Sequence, residues 1–355
     1  MPNTSAHIAK LNKKRIISII VLSLIVVLLF FASLFIGSSN MSFSDTIKGL
    51  FGASSNKNNI IMQNIRLPRL VAALLVGTGL GVAGLIMQTN LNNPMASPAT
   101  LGVSNAAVLG ANLAIIVLSG GVVSSQNGTQ FTVTNYYFVT FFAFIFAVGS
   151  VLLVLGLSRI KSFNPTSVIL IGVGLSALFS AITTLIQYFA VDVKLTAAVY
   201  WSFGDLTRVT MKDNLFLAIV LVICLIPLTI FTPSYNALLG GDELARSLGV
   251  KTDILRLISL LLASLMTAAI VSFFGIIGFI GIMAPHIMRR IIGNDHRFLL
   301  PATALMGVSI IQFSDAIGRL IMSGTSLPVG AVTAIIGAPF FLYVVFFTDG
   351  RRRYA

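Results

Sequence analysis

Long apolar stretches alternate with short polar ones over most of the chain. No Asp, Glu, Lys or Arg occurs between Leu70 and Ser158, whereas one crossing of a bilayer needs only roughly 20 apolar residues. The pattern therefore predicts an all-α, polytopic membrane protein. Nine apolar segments can be placed, at residues 16–36, 70–88, 99–118, 135–157, 166–190, 215–232, 257–288, 299–322 and 327–347.

The segment 257–288 does not fit a single crossing. As one helix it would measure roughly 48 Å, against a hydrocarbon core of about 30 Å. Arg256 precedes it and Arg289 follows it. Basic residues favour the cytoplasmic side, so two cytoplasmic ends require two crossings. We therefore divide the segment at its glycines into spans 257–275 and 278–290, which gives about ten transmembrane helices with both termini in the cytoplasm.

Charge placement supports this arrangement. Fifteen of the 23 Lys and Arg residues fall on the predicted cytoplasmic side, as the positive-inside rule requires. Only 9% of residues are charged, against roughly 25% in a soluble domain. The net charge of +13 lies at the ends of apolar runs, next to lipid headgroups, and no basic face with interleaved aromatics occurs, so we expect no nucleic-acid partner.

Residues 77–84 contain a G-x-G-x-x-G sequence, which is typical of dinucleotide-binding turns. That function needs a strand, a tight turn and an acidic residue about 20 positions later, yet no Asp or Glu occurs between Asp45 and Asp192. Gly77 and Gly81 also form a G-x-x-x-G pair, with Gly84 one turn further. This spacing predicts a strip for close helix packing. No P-loop and no clustered metal ligands occur, so we predict no cofactor and no metal.

Charged groups near or within the spans are candidates for function. Arg66-Leu67-Pro68-Arg69 stands at the predicted outer mouth of the second span, where the arginines either serve a partner or extend to the interface. Asp315 and Arg319 are four apart inside the ninth span and can pair with each other, although intramembrane charges by default suggest function. A proton relay normally needs more than one carboxylate, so a transporter powered elsewhere is favoured over an ion-coupled carrier.

The inner loop between the sixth and seventh spans contains a short helical pattern. Acidic residues favour a helix start, a glycine can end it, and Leu244 and Leu248 share one face. Such a short helix is marginal alone, so the leucines suggest docking onto a cytoplasmic protein. The segment consists of Gly241, Asp242, Glu243, Leu244, Ala245, Arg246, Ser247, Leu248 and Gly249.

In combination, these motifs resemble the FecCD-type permease family, the ten-helix subunits of iron-siderophore, haem and vitamin B12 ABC importers. The resemblance covers roughly residues 60–348. It is carried by 66–69, 77–88, Asn93-Pro94 through Leu101-Gly102, 241–249, Gly278 to Gly281 with Pro285-His286 and Arg289, Asp315 with Arg319, Leu327 to Gly330, and Gly337 to Phe341.

The resemblance implies a fold like that of the vitamin B12 importer permease, a type II ABC importer. It implies partners: a second permease copy or a paralogous permease, two ATPase subunits and an extracytoplasmic binding protein. ATP hydrolysis would reside in the ATPase, so this chain is not expected to be an enzyme. Ferric siderophore is the expected cargo, with haem and cobalamin left open, and an ion-coupled secondary carrier is the alternative of another class.

The resemblance also implies residue roles and a location. Arg66, Arg69 and Arg319 match arginines that receive acidic residues of the binding protein, and 241–249 matches the segment seated on the ATPase. We expect a single transmembrane permease domain over 1–355 in a bacterial inner or plasma membrane. Its parts are a cytoplasmic tail 1–15, the spans 16–347, the coupling loop 233–256 and a cytoplasmic basic tail 348–355.

Overall fold

The computed structural model describes residues 4–36, 41–118, 122–124, 131–133, 135–160, 164–321 and 327–348. Most of these residues are helical. The α-helices are α1 Thr4–Phe35, α2 Phe43–Leu50, α3 Asn56–Ile60, α4 Leu67–Asn90, α5 Val103–Asn112, α6 Tyr136–Ile160, α7 Pro165–Tyr188, α8 Asp192–Ser202, α9 Met211–Ile230, α10 Thr232–Leu238, α11 Asp242–Ser247, α12 Thr252–Phe274, α13 Ile280–Ile292, α14 His296–Ile321 and α15 Val329–Thr348.

Shorter elements join or extend these helices. Two π-helical turns, Ile61–Arg66 and Leu113–Val117, make α3 continuous with α4 and lengthen α5. Two 3₁₀ turns lie at Pro98–Leu101 and Leu206–Arg208. The strands β1, Val122–Ser124, and β2, Phe131–Val133, pair antiparallel. The sequence predicted no strand there, because a membrane-span pattern does not report on short outer loops.

Each of the ten predicted spans has a helix in the structure. Within the described residues, seven helices are long and apolar enough to cross a membrane, and Val103–Val117 and Val329–Tyr343 are shorter apolar helices. The one remaining predicted span, 278–290, corresponds to the short helix α13. This confirms the helical, polytopic class. Helix α1 begins at Thr4, so most of the predicted tail 1–15 continues the first helix, and of the predicted tail 348–355 only residue 348 is described.

The segment 257–288 is divided, as predicted, by a break between α12 and α13. Gly275 ends α12 with φ +78°, and a Cβ there would lie 2.6 Å from the Trp201 carbonyl oxygen, so only glycine fits without strain. The N–H of Ile276 donates to the Ser202 carbonyl at 3.2 Å. The chain between the two helices is thus held by the C-terminal end of α8.

Helix α4 lies at the centre of the bundle, and its glycines let neighbouring backbones approach. A Cβ at Gly77 would lie 2.5 Å from the backbone nitrogen of Val308, and one at Gly81 would lie 2.8 Å from the Thr303 carbonyl oxygen. Both neighbours belong to α14. Gly84 contacts the backbone of Gly281 in α13 instead. The predicted strip therefore faces two helices, which fixes α4 against α13 and α14.

Candidate docking and coupling sites

A buried carboxylate at the predicted outer end of the bundle binds two arginines from different helices. Arg69 of α4 donates from Nε to Asp315 Oδ1 at 2.7 Å, and its Nη2 lies 2.6 Å from the same oxygen. Arg319 Nη2 lies 2.9 Å from Asp315 Oδ2. The Asp315 side chain is only 1% exposed. The i,i+4 spacing anticipated the Arg319 contact, whereas the Arg69 contact was not predicted.

The end of α1 completes this arginine cluster. Arg66 donates to the Leu34 carbonyl at 2.6 Å, and Arg319 donates to the carbonyls of Ser33 at 2.8 Å and Ile36 at 2.6 Å. The last carbonyls of a helix have no intrahelical partner and carry partial negative charge. Arg69 thus binds the carboxylate, Arg66 binds the helix C-terminus, and Arg319 binds both.

Local backbone geometry positions Arg66 and Arg69. Pro68 lies at the start of α4 and has no N–H to donate to the preceding turn. The π-helical turn 61–66 directly precedes it, and such a turn accommodates a local change of hydrogen-bonding register. Both arginines are 6% exposed. Their guanidinium groups point to protein atoms, which disfavours a simple extension to the membrane interface.

The predicted coupling segment 241–249 forms the short helix α11 with a glycine at each end. Gly241 has φ +96° and Gly249 has φ +84°, conformations that glycine adopts without steric cost. Leu244 is 51% exposed and Leu248 is 64% exposed. Two large apolar side chains on such a short element leave apolar surface for a partner to cover.

An ion pair attaches this segment to the bundle. Arg256 of α12 binds Asp242 through both oxygens, with Nη1 2.6 Å from Oδ2 and Nη2 2.7 Å from Oδ1. Bidentate pairs of this kind fix orientation as well as distance. The Arg256 side chain is 6% exposed. Helix α11 therefore keeps a defined orientation relative to α12, while Leu244 and the following Leu248 remain exposed.

The FecCD transport family matches residues 24–347 of this sequence. The chain belongs to the FecCD transport family. The match begins within α1, ends within α15 and includes every predicted site residue. The resemblance predicted from the motifs is thus confirmed, and the chain is a multi-pass membrane permease of this family.

Named relatives and a solved structure agree with the FecCD assignment. The Fe(3+)-citrate import system permease protein of Bacillus subtilis is 35% identical over 337 residues, covering 95% of this chain and 96% of the relative. The hemin transport system permease protein of Yersinia pestis is 34% identical over 313 residues, covering 87% and 91%. A metal-chelate type ABC transporter in an inward-facing conformation superposes with a TM-score of 0.78 at 29% identity, covering 94% of this chain and 99% of that one.

Proposed function

We propose that this FecCD chain is the permease subunit of an ATP-driven importer that carries an iron chelate into the cytoplasm. The observation that carries the proposal is the exposed pair Leu244 and Leu248 on a helix held by the Asp242–Arg256 ion pair. An ATPase subunit would bind this apolar surface, and the ion pair would transmit its movement to the membrane helices. The chain itself carries the cargo, and hydrolysis takes place in the ATPase.

The arginine cluster is the proposed docking site for the extracytoplasmic binding protein. Arg66, Arg69 and Arg319 bring three positive charges to one place, and Asp315 offsets one of them. Acidic residues of a binding protein would balance the remaining charge. Complementary charges of this kind orient docking and raise encounter rates more than they add affinity.

We propose a ferric siderophore as the cargo, with haem and cobalamin as the other candidates. The relative from Bacillus subtilis is a permease for ferric citrate, and that from Yersinia pestis is one for hemin. Both cargoes are bulky chelates of iron. The assembly would contain two permeases, either two copies of this chain or one with a paralogue, and two ATPases. Both termini of this chain would lie in the cytoplasm.

Uptake by reconstituted importers tests this function. Proteoliposomes containing the permease, its ATPase and its binding protein are given ferric hydroxamate, ferric citrate, hemin or cobalamin in turn. We expect uptake of one iron chelate. This uptake should require ATP on the side of the membrane where the ATPase is bound. Uptake by the permease alone, driven by an ion gradient, would instead support a secondary carrier.

A pair of substitutions tests the coupling surface. Leu244→Asp with Leu248→Asp places charge on the proposed contact, and we expect the ATPase no longer to co-purify. Leu118→Asp is the matched control, because Leu118 is 48% exposed and lies at the predicted outer side. If the double variant retained its ATPase as well as the control does, the coupling role of 241–249 would be wrong.

A further inference from the structure

A second polar cluster joins α4, α10 and α14 at the predicted inner side. Thr89, near the end of α4, has its Oγ1 2.8 Å from His296 Nε2 at the start of α14. The other ring nitrogen, His296 Nδ1, lies 2.9 Å from Asn236 Oδ1 in α10. His296 is fully buried. Three helices thus meet through one imidazole ring.

The neighbours of Asn236 determine which atoms donate. The backbone N–H of His296 donates to Asn236 Oδ1 at 2.8 Å, and Asn236 Nδ2 donates to the Asp295 carboxylate at 2.9 Å. A backbone N–H only donates and a carboxylate only accepts, so the amide has one orientation. His296 Nδ1 must then carry the proton that faces the amide oxygen. In the neutral ring, Nε2 can then accept the single proton of the Thr89 hydroxyl, for which the Leu85 carbonyl, 3.0 Å from Oγ1, is the alternative acceptor.

Arg289 extends this cluster to α13. Its Nη1 donates to Gln88 Oε1 at 2.8 Å, and its Nη2 lies 3.4 Å from Thr89 Oγ1. Gln88 in turn donates to the Gly281 carbonyl at 3.2 Å. Helix α13 is therefore held to α4 both near its start and near its end. Along the series from Arg289 to Asp295, each hydrogen bond can donate in the same direction, from a cation to an anion.

We name this set the inner polar chain. It consists of Gln88, Arg289, Thr89, His296, Asn236 and Asp295.

The inner polar chain reaches the proposed coupling segment through α10. Asn236 lies in the last turns of α10, which ends at Leu238, and the N–H of Gly241 donates to the Leu238 carbonyl at 3.1 Å. A short hydrogen-bonded connection thus joins α11 to the helix that carries Asn236. At the other end of the inner polar chain, α4 and α13 are in backbone contact at Gly84 and Gly281.

We propose that the inner polar chain transmits movement of the coupling segment to α4 and α13. This inference rests on the proposed coupling role of 241–249. Apolar contacts between helices permit sliding, whereas hydrogen bonds weaken steeply with misalignment, so a polar chain keeps the helices in register. Thr89, His296 and Asn236 are accordingly positioning residues, because they act through the helices that they join.

Substitutions at Thr89 test transmission separately from folding. Thr89→Val removes the hydroxyl at nearly constant shape, whereas Thr89→Ser retains it. Thr183→Val is the matched control, because Oγ1 of Thr183, like Oγ1 of Thr89, lies within hydrogen-bond distance of the carbonyl four residues earlier. Thr183 is not part of the inner polar chain. Each variant is reconstituted with the ATPase and binding protein. The probe is whichever of ferric hydroxamate, ferric citrate, hemin and cobalamin the wild type takes up.

We expect Thr89→Val to lower the amount of probe taken up per ATP hydrolysed by about tenfold, which corresponds to about 1.4 kcal/mol and lies within the range for the loss of one hydrogen bond. Its ATPase should still co-purify and hydrolyse ATP. Thr89→Ser and Thr183→Val should keep the wild-type ratio of uptake to hydrolysis. A wild-type ratio in Thr89→Val, or loss of ATPase binding in that variant, would overturn the proposal.

Asn236→Ala supplies a second measurement if Thr89→Val fails to fold, and it should lower the same ratio. Where both variants fold, the double variant should lower the ratio of uptake to hydrolysis no further than the more affected single variant does. Residues of one hydrogen-bond network act non-additively. Additive losses, or a wild-type ratio in Asn236→Ala, would overturn the proposal. Failure of the wild type to bind any ATPase would be a different result, since it would contradict the proposed function itself.

Discussion

Arg69 Nε donates to Asp315 Oδ1 at 2.7 Å across 246 positions of the sequence. The contact ties α4 to α14 near one end of both helices, and the glycine contacts of Gly77 and Gly81 continue the same interface. Asp315 also binds Arg319. One carboxylate therefore both holds two helices together and keeps two proposed docking arginines in place.

Asp315→Asn should destabilise the folded protein strongly. The substitution leaves two buried guanidinium groups with reduced compensation, a change that costs about 3–5 kcal/mol when one partner of a buried pair is removed. Thermal unfolding in detergent measures it. Asp192→Asn is the control, because Asp192 is exposed at the start of α8. Equal midpoints for both variants would contradict the central place of Asp315.

Arg66→Gln should weaken docking of the binding protein with little loss of stability. Arg66 binds the Leu34 carbonyl, whereas Asp315 binds Arg69 and Arg319, so removal of Arg66 leaves those two ion pairs in place. If docking depends on charge, we expect affinity to fall by about tenfold and to depend less on salt concentration. Titration of the binding protein at two ionic strengths measures both effects.

Arg208→Gln is the matched control for Arg66→Gln. Arg208 also donates to backbone carbonyls, those of Trp201 at 2.7 Å and Tyr200 at 2.6 Å, and it lies at the predicted outer side. A third donation goes to the Phe203 carbonyl. Its removal should leave docking at the wild-type affinity. If the two variants weakened docking equally, net positive charge rather than the cluster would account for the effect.

Gly84→Ala should destabilise the bundle, whereas Gly149→Ala should not. A Cβ at Gly84 would overlap the backbone of Gly281, while a Cβ at Gly149 meets nothing within 4 Å. Overpacking costs typically 1–3 kcal/mol, and replacing a helical glycine at an open position gains about 0.5–1 kcal/mol. Unfolding midpoints that shift in the same direction would show that the α4–α13 contact adapts to a methyl group.

Hydropathy and helix-breaking residues were sufficient to predict the spans and the break at Gly275. Both follow from physical limits on length and on backbone conformation that act within one segment. The exposed leucines of α11 were predictable for the same reason, since their spacing is local. The pattern of short helices outside the spans, such as α2 and α8, was not predicted, because their lengths carry no bilayer constraint.

The contacts made by buried polar groups were only partly predictable. Asp315 and Arg319 share one helix face, so their spacing indicated a pair. Neither Arg69 with Asp315 nor Thr89 with His296 has such a signal, because each pair joins helices far apart in the sequence. A lone histidine without clustered ligands does not predict a metal site, and it carries no signal for a contact with Thr89. The docking, coupling and domain assignments remain predictions.

Acidification should remove part of the stability that Asp295 contributes. Hydrogen bonds from Arg297 and then from Asn236 lower the pKa of Asp295 to about 2 from its usual 3.8, in spite of partial burial. The unfolded chain therefore binds a proton at higher pH than the folded protein does. The contribution is complete above about pH 4, is lost as the pH falls towards about 2, and amounts to about 2 kcal/mol.

Unfolding measurements on Asp295→Asn from about pH 6 down to about pH 2 check this expectation. The gap in stability between wild type and variant should be largest near neutral pH and should close towards the acid end. Asp253→Asn is the control, because the Asp253 side chain is 63% exposed and lies outside the inner polar chain. A difference in stability that stayed constant with pH would mean that Asp295 stabilises the fold through packing. Only a contribution from the ionised carboxylate changes with pH.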